Sequence, residues 1–267
     1  MDWHDSLLDY LAASNEDSCA IRLFSEVVLS EVRSYRESIS WLDVGPGPGT
    51  KTVEIYRMLQ ETGKLARACV LEPSRDWRRF LQARALNGEI QVCPLTLQRY
   101  AELERRGDYV PPNLVTLFHV VYSKSLIRTL THYLAGRCVN EDKLGPATCL
   151  VIVESEHSDF CELRRRLVSI GCPVPVSPAE RLRNAIRRTN LKFEEYRVDD
   201  KRCWVGTREV SKSDWLLPFL TALSIREMAR MPQDLVARSV SCVHEFLKER
   251  PDGYLCVPDI ALKVHFR

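Results

Sequence analysis

SWLDVGPGPGT, residues 40–50, gives the strongest indication of the fold in this 267-residue chain. Its apolar first half predicts a strand, and its three glycines predict a tight turn in which the backbone can approach a ligand closely. An amphipathic helix pattern follows from residue 50, and a second apolar stretch then leads into Glu72. The carboxylate comes a little over ~20 residues after the turn, which is the spacing of a nucleoside-binding βαβ unit.

The form of the turn favours one kind of nucleoside. Gly-x-Gly-x-x-Gly is typical of dinucleotide sites, but here three glycines fall within five residues and Asp43 stands just before them. This tighter turn suits a ligand without a pyrophosphate, and Glu72 has two oxygens for the two hydroxyls of a ribose. We therefore expect S-adenosylmethionine. A Walker A loop is excluded because Thr50 replaces the glycine before Lys51. NAD fits less well, and an ordinary strand–turn–helix stays open.

Composition limits the class of protein. With 45% hydrophobic residues, 28% charged residues and a net charge of +2, the chain is typical of globular proteins and not of nucleic-acid platforms. No stretch has the apolar length of a membrane span, and the N-terminus lacks the basic start of a signal peptide. The ten cysteines never form Cys-x-x-Cys, so we expect reduced, buried thiols. These features predict a cytoplasmic, monomeric protein without bound metal, nucleic acid or membrane.

Strand and helix patterns alternate from residue 39 onward. Strands are expected near residues 39–44, 66–72, 89–93, 113–121 and 148–154, and helices near 50–62, 74–86, 96–106, 124–136, 157–169 and 178–189. This order predicts a parallel sheet with helices on both faces. Residues 192–206 and 254–266 are each expected to form one late strand, which completes a seven-stranded sheet with an antiparallel final hairpin.

Two helical segments fall outside this alternation. Residues 3–12 and 16–33 precede the first strand, with Ser14 at the expected N-cap, and residues 213–250 interrupt the final hairpin. Because ligands bind beyond the carboxyl ends of the strands in open α/β sheets, these segments are expected to form a lid there. The prediction is one domain, 1–267, with a Rossmann-like core of residues 35–210 and 251–267 and a helical substrate-binding lid of residues 1–34 and 211–250.

Several short motifs carry a family resemblance. They are Tyr10-Leu11 with Ser14-x-Glu16-x-x-Cys19, Glu72-Pro73-Ser74, the strand 114–122, and the late motifs Leu191-Lys192-Phe193-Glu194-x-Tyr196 and Leu216-Leu217-x-Phe219-Leu220. With them the chain resembles, distantly but over nearly its full length, the histamine N-methyltransferases, which are class I S-adenosylmethionine-dependent methyltransferases. The resemblance implies a Rossmann-like seven-stranded sheet with a small substrate-binding subdomain.

The resemblance also implies site residues. For the cofactor they are Gly45, Pro46, Gly47, Glu72, Pro73, Trp77, Thr96 and Phe118. For the acceptor they are Glu16, His119, Tyr122, Phe160, Arg164, Phe219 and Asp259. Trp77 stands where the family has a glutamine beside the adenine, so an aromatic stack is expected there. Glu16 and His119 are the expected catalytic residues: Glu16 closes over cofactor and amine, and His119 accepts or orients the proton of the nucleophile.

Departures from the family pattern concern the acceptor. His119 replaces a substrate-binding glutamine, Arg164 replaces a pocket tryptophan, and Pro258, beside Asp259, replaces an asparagine that touches the imidazole. These changes argue against histamine itself. They favour another small amine or an amino-acid-like molecule, methylated on a neutral nitrogen.

Other interpretations stay open from the residues alone. Glu16 could stabilise the first turn of its helix, Arg164 could lie on a solvated helix face, and the aromatic residues could belong to the core. His119 could be an ordinary strand-end residue. Two further functions also fit the cofactor motif. One is different chemistry on the same cofactor, either carboxylate O-methylation or intramolecular cyclisation of its aminobutyrate chain, and the other is a non-catalytic cofactor-binding module.

Overall fold

A computed structural model of the chain describes residues 3–84, 88–120, 123–138, 147–174, 178–205, 213–221, 228–250 and 252–266. The described helices are α1 (Trp3–Ala13), α2 (Glu16–Phe24), α3 (Ser30–Ser34), α4 (Thr50–Glu61), α5 (Arg75–Arg84), α6 (Leu97–Arg105), α7 (Lys124–Cys138), α8 (Asp159–Ser169), α9 (Ala179–Arg187), α10 (Ser213–Thr221) and α11 (Gln233–Lys248), and a π-helical turn (Ser25–Leu29) joins α2 to α3. The described strands are β1 (Ile39–Val44), β2 (Leu65–Leu71), β3 (Gln91–Cys93), β4 (Leu114–Phe118), β5 (Ala147–Glu154), β6 (Lys192–Val198), β7 (Arg202–Trp204), β8 (Tyr254–Cys256) and β9 (Asp259–Phe266).

Seven strands form one sheet in the order β3-β2-β1-β4-β5-β9-β6. The pairs β1–β2, β1–β4, β2–β3 and β4–β5 are parallel. From β1 the chain proceeds to β2 and β3 on one side, and β4 and β5 then lie on the other side, so the strand order reverses between β1 and β4. Ligands of open α/β sheets bind at such a switch point. The predicted seven-stranded α/β sheet is confirmed.

Burial explains why these segments are strands. Every residue of β4 and β5 is buried, as expected for central strands covered on both faces. Leu42 of β1 and Val115 of β4 share one apolar cluster with Tyr100 of α6, Leu130 of α7 and Leu182 of α9. Helix α4 contacts β2 and the π-helical turn. Apolar packing therefore holds the central strands, and it fixes the positions of their ends relative to one another.

The chain folds into two compact units. The first unit contains residues 1–19, 154–177 and 198–259, and the second contains residues 20–153, 178–197 and 260–267. Of the two segments predicted as a lid, residues 1–19 and 211–250 belong to the first unit and residues 20–34 to the second. Their action as a lid stays a prediction.

The first unit has its own apolar core around a small antiparallel sheet. In that sheet β7 pairs with β8, with Cys203 opposite Leu255. The core includes Leu163 of α8, Leu216 of α10 and Val243 of α11. Each of these helices therefore buries an apolar side against the others in this unit.

Both late strands predicted from the sequence are wrong in extent. Residues 192–206 form β6 and β7, and residues 254–266 form β8 and β9; in each case the two strands belong to different sheets. A turn at Asp199 and Asp200 separates the first pair. Pro258 lies between β8 and β9, where its missing N–H cannot join a ladder. Strand propensity continued across both breaks, so the pattern did not reveal them.

The predicted N-cap of the second helix is also wrong by one residue. Helix α2 begins at Glu16, and the Asn15 carbonyl accepts the Cys19 N–H at 3.0 Å, which places Asn15 at the N-cap. Asn15 is held in turn by β7, because its side-chain oxygen accepts the Arg202 N–H at 2.7 Å. The Ser14 hydroxyl only accepts the Glu16 N–H at 3.4 Å.

The described part of the chain bears on two expectations, one about membrane-spanning helices and one about cysteines. None of the helices in it combines the length and the apolar composition that crossing a membrane requires. The nine cysteines whose side chains are described are free thiols, and seven of them are buried. Five of the buried thiols pack as small apolar side chains of the two cores: Cys69, Cys93, Cys149, Cys172 and Cys203.

A ring of ionic and hydrogen-bonding side chains joins α3, β6 and β9 within the second unit. Lys263 Nζ lies 3.2 Å from Glu31 Oε2 and 3.1 Å from Glu194 Oε2. The two ring nitrogens of His265 lie 2.9 Å from Glu194 Oε1 and 3.7 Å from Glu31 Oε1. Tyr196 donates its hydroxyl to Glu194. Hydrogen bonds from Tyr196, His265 and Lys263 lower the pKa of Glu194 to about 2.

We expect Glu194→Gln to reduce the free energy of unfolding near neutral pH and to reduce it less as the pH falls. The pKa of Glu194 lies below its ordinary value of 4.5, so the carboxylate stabilises the fold above that value and loses this effect as the pH falls towards about 2. Urea denaturation at several pH values between about 6 and 3 measures the difference from wild type. Glu37→Gln, at an exposed position, is the control. A difference for Glu194→Gln that stays constant over this range would contradict the assignment.

Candidate functional site

The turn after β1 has three glycines with left-handed backbone. Gly45, Gly47 and Gly49 have φ of 66°, 62° and 83°. Gly49 caps α4, and a Cβ there would lie 2.3 Å from Leu81 Cδ2. At Gly47, by contrast, a Cβ would meet no described atom within 4 Å, so this part of the turn is open to a ligand. The turn is closed by the Gly49 N–H, which donates to the Pro46 carbonyl at 3.4 Å.

Asp43, two residues before the turn, is held by hydroxyl donors from two other elements. Thr52 of α4 donates to Oδ2 and Thr116 of β4 donates to Oδ1, each at 2.7 Å. Trp41 donates its indole N–H to the Thr116 hydroxyl at 2.9 Å. Burial raises the pKa of Asp43, and the two threonines and the charge of Lys51 oppose that rise. The carboxylate thus ties β1, β4 and α4 together where the turn begins.

Glu72 follows β2 and reaches the glycine turn. Gly47 N–H donates to Oε2 at 3.3 Å, and Ser74 N–H donates to Oε1 at 2.8 Å. Arg78 donates to the main-chain oxygens of Glu72 and Pro73 at 2.9 and 2.6 Å. Burial raises the pKa of Glu72, and the Ser74 and Gly47 amides oppose the rise. Each oxygen of the Glu72 carboxylate keeps a second lone pair, so Glu72 can accept two more hydroxyls. We call the turn of residues 45–49 together with Glu72 the glycine–Glu72 cradle.

Three other predicted cofactor residues lie at strand or helix ends of the second unit. Trp77 is buried in α5, with its ring centroid 5.6 Å from that of Phe80, and Phe118 is the buried last residue of β4. Thr96 is exposed, and its hydroxyl caps α6 by accepting the Arg99 N–H at 3.3 Å. A capping role therefore accounts for Thr96 in this structure.

His119 follows β4 directly and has an unusual backbone. Its φ is 56°, a left-handed conformation that costs a non-glycine residue on the order of 1 kcal/mol or more. Its N–H donates to the Ile152 carbonyl of β5 at 2.9 Å, which holds this conformation. The next residue, Val120, has a methyl carbon 2.7 Å from where a Cβ of Gly45 would lie. The residue that follows His119 thus lies against the start of the glycine turn. Tyr122 lies outside the described residues.

The first unit contains a buried lysine between two acids. Lys201 Nζ lies 2.7 Å from Asp259 Oδ1 and 3.4 Å from Glu16 Oε2. Tyr10 donates its hydroxyl to Glu16 Oε2 at 2.7 Å. All four residues are at most 4% exposed. Burial lowers the pKa of Lys201, but the charges of Asp259 and Glu16 outweigh burial and raise it, so the ammonium stays charged.

A second buried pair lies in the same unit. Arg164 of α8 donates to Glu154, the last residue of β5, which also accepts from the Ser158 hydroxyl and, at 3.2 Å, from the Cys161 thiol. Burial raises the pKa of Glu154, but Arg164 and these donors outweigh burial and lower it. Arg164 is only 6% exposed, so its interpretation as part of a solvated helix face is wrong.

Three aromatic rings connect these two charged groups. The ring centroids of Tyr10 and Phe219 are 4.4 Å apart, and Phe160 lies 5.6 Å from Tyr10 and 5.5 Å from Phe219. The guanidinium of Arg164 is 6.0 Å from the Phe160 centroid. The acid–aromatic cluster consists of Tyr10, Glu16, Glu154, Phe160, Arg164, Lys201, Phe219 and Asp259.

This cluster brings together five of the seven acceptor residues expected from the sequence. The exceptions are His119, which belongs to the second unit, and Tyr122. Sequence reasoning missed the other three members, Tyr10, Glu154 and Lys201, and quoted Tyr10 only as part of a family motif. Glu154 had a usable signal, because it ends an apolar strand at a position where ligands of such sheets bind. Lys201 had none, since its partner Glu16 is 185 positions away in the chain.

Comparisons with known proteins bear on the fold. No protein-family model matches the sequence, and no curated protein does. A cyclopropane-fatty-acyl-phospholipid synthase-like protein from Lactobacillus casei is 14% identical, with 94% of this chain and 91% of that chain covered and a TM-score of 0.55. This chain has the class I methyltransferase fold. The fold class predicted from the sequence, Rossmann-like with seven strands, is confirmed.

Two further solved structures are similar over most of this chain. The plantazolicin methyltransferase BamL, in complex with a desmethyl plantazolicin analog and SAH, is 10% identical, with 94% and 85% of the two chains covered and a TM-score of 0.48. The N-methyltransferase NodS from Bradyrhizobium japonicum is 12% identical, with 93% and 98% covered and a TM-score of 0.44.

We expect Gly49→Ala to lower the free energy of unfolding by about 2–4 kcal/mol, because it combines a left-handed residue with overpacking against Leu81. Gly63→Ala is the matched control, since Gly63 has φ 67° and no described atom within 4 Å of an added Cβ. It should cost only the backbone contribution, about 1–2 kcal/mol. Urea denaturation of both variants gives the comparison, and equal losses would show that the contact between the turn and α5 is not tight.

Proposed function

We propose that this protein is an S-adenosylmethionine-dependent methyltransferase that acts on a nitrogen of a small amine or amino-acid-like molecule. The observation that carries the proposal is the glycine–Glu72 cradle, set beside the strand-order reversal of a class I methyltransferase fold. A nucleoside needs close backbone approach and a hydroxyl acceptor at this position, and the cradle has both.

The residues of the second unit fit the parts of such a cofactor. Glu72 would accept the two ribose hydroxyls, because each of its oxygens keeps a lone pair beyond the one used by a main-chain amide. The open backbone at Gly47, with Gly45 and Pro46, would lie against the nucleoside and its chain. Trp77 and Phe118 would supply apolar contacts to the base and the sulfonium end.

Methyl transfer requires little acid–base chemistry from the protein. When bound, S-adenosylmethionine supplies a methyl group on a positively charged sulfur. A nucleophile would attack the methyl carbon in line with the carbon–sulfur bond, and the sulfur would leave as a neutral thioether. Alignment of the nucleophile and exclusion of water therefore contribute most of the acceleration. The accepting nitrogen must offer a lone pair, so it must react in its neutral form. An imidazole nitrogen of His119 would accept the proton of this nucleophile or orient it.

The acid–aromatic cluster supports a nitrogen acceptor. Carboxylates attract an ammonium group, and aromatic faces attract cations, so Glu16 and Asp259 with Tyr10, Phe160 and Phe219 form surroundings in which a positively charged small molecule is favoured. The resemblance to histamine N-methyltransferases points the same way. The changes at His119, Arg164 and Pro258 favour an acceptor other than histamine.

Binding of the product S-adenosylhomocysteine tests the cofactor assignment. Glu72→Ala should raise the dissociation constant by about 10–150-fold, equivalent to ~1.5–3 kcal/mol, because the ribose hydroxyls lose their acceptor. Glu61→Ala, an exposed acid at the end of α4, should leave the constant unchanged. Titration calorimetry gives both values. If the wild-type protein does not bind S-adenosylhomocysteine but binds NADH tightly, the assignment of S-adenosylmethionine as cofactor is wrong.

Turnover tests His119. Mass spectrometry of products from a library of amines and amino acids first identifies an acceptor and the atom that is methylated. With that acceptor, His119→Ala should lower kcat by about 100-fold and leave the dissociation constant of S-adenosylhomocysteine within about threefold. His132→Ala, exposed on α7, is the control. Unchanged kcat in His119→Ala would remove His119 from the mechanism, and a methylated carboxylate or a cyclised cofactor product would replace N-methylation with the other chemistries.

A further inference from the structure

The acid–aromatic cluster contains buried cations as well as buried acids. A plain amine acceptor needs only negative charge and aromatic faces, yet Lys201 is 1% exposed and Arg164 is 6% exposed among the acids. Burial of a charged pair costs several kcal/mol per ion before attraction compensates, and apolar residues of similar size are often as stable. Packing of the first unit alone therefore does not require a buried cation at Lys201.

The hydrogen bonds of Lys201 leave it one donor. An ammonium has three N–H donors, and Lys201 uses one towards Asp259 at 2.7 Å and one towards Glu16 at 3.4 Å. Within the described ranges it makes no third hydrogen bond. The contact with Asp259 is short, while that with Glu16 is at the long end for a hydrogen bond, so Lys201 is chiefly the partner of Asp259.

The spacing of the opposite charges identifies a ligand class. Lys201 Nζ and Glu16 Oε2 lie side by side, 3.4 Å apart. The ammonium and carboxylate of an α-amino acid are borne by one carbon, so they too lie roughly 3 Å apart, about one hydrogen-bond length. A molecule with both groups can place its carboxylate on the third N–H of Lys201 and its ammonium on Glu16. An amine without the carboxylate would leave that donor without a ligand partner.

We propose that the acceptor is a zwitterion of the α-amino-acid class and that Lys201 is the residue that selects it through its carboxylate. The nitrogen that accepts the methyl group is then a second, uncharged one, because an ammonium held by Glu16 has no lone pair. This inference rests on the proposed function, because it assigns the acceptor of the same enzyme. Arg164 has a different part: its charge is matched by Glu154, so it supports the cluster rather than the ligand.

Matched ligand pairs test the proposal in the full-length protein. Each amino acid is compared with the amine that lacks its carboxylate: histidine with histamine, tryptophan with tryptamine, arginine with agmatine, and phenylalanine with phenethylamine. Dissociation constants are measured by calorimetry in the presence of saturating S-adenosylhomocysteine. Wild type should bind at least one amino acid about tenfold or more tightly than its amine. The proposal would be overturned if the amines bound as well as or better than every amino acid, or if none of the amino acids bound.

Variants of Lys201 then separate selection from folding. Lys201→Met should abolish the preference for the amino acid while S-adenosylhomocysteine still binds, and Lys201→Arg, which keeps the charge, should retain a preference. Lys248→Met, exposed at the end of α11, should behave as wild type. A preference that survives in Lys201→Met contradicts the role of this residue. If Lys201→Met does not fold, the wild-type pairs and Lys201→Arg decide.

The two proposals fail in different ways. Failure of wild type to bind S-adenosylhomocysteine would refute the proposed function, whatever the amino acids do. Binding of S-adenosylhomocysteine with a preference for plain amines would refute only the assignment of the acceptor.

Discussion

The buried carboxylate of Asp43 is the fixed point on which the candidate cofactor site depends. It is held by hydroxyls of Thr52 on α4 and Thr116 on β4, so one side chain joins three elements at the place where the glycine turn starts. A buried carboxylate that loses such a donor costs ~1–3 kcal/mol, and the elements would lose their common anchor. The turn, held at this end, can then present the Gly47 amide to Glu72.

The cradle could be predicted from the sequence because all its determinants are local. A strand, a glycine turn, a helix and a carboxylate at a set spacing leave few arrangements in a parallel sheet. The breaks at Asp200 and Pro258 were missed because strand propensity on both sides is similar, and only tertiary pairing decides which sheet each segment joins. Lys201 was missed for a stronger reason: its acids are 185 and 58 positions away, and no local pattern announces such a contact.

The two charged regions of the molecule differ in what solvent does to them. Glu194 and His265 are roughly half and one-third exposed, so water screens their interaction, and the ring with Glu31 and Lys263 serves to hold strands and helix together. Lys201 and its acids are excluded from water, so each charge there depends on its partners and the cost of a mismatch is high. Such a group is selective for a ligand of complementary charge, which is why we assign acceptor recognition to it.

A crystal structure of the protein with S-adenosylhomocysteine would show whether Glu72 holds the ribose. We expect both ribose hydroxyls to donate to Glu72, one to each carboxylate oxygen, at about 2.6–3.0 Å, with the ligand against the backbone of residues 45–47. A nucleoside bound elsewhere, or a Glu72 side chain that keeps only its bonds to the Gly47 and Ser74 amides while the ligand is present, would contradict this expectation.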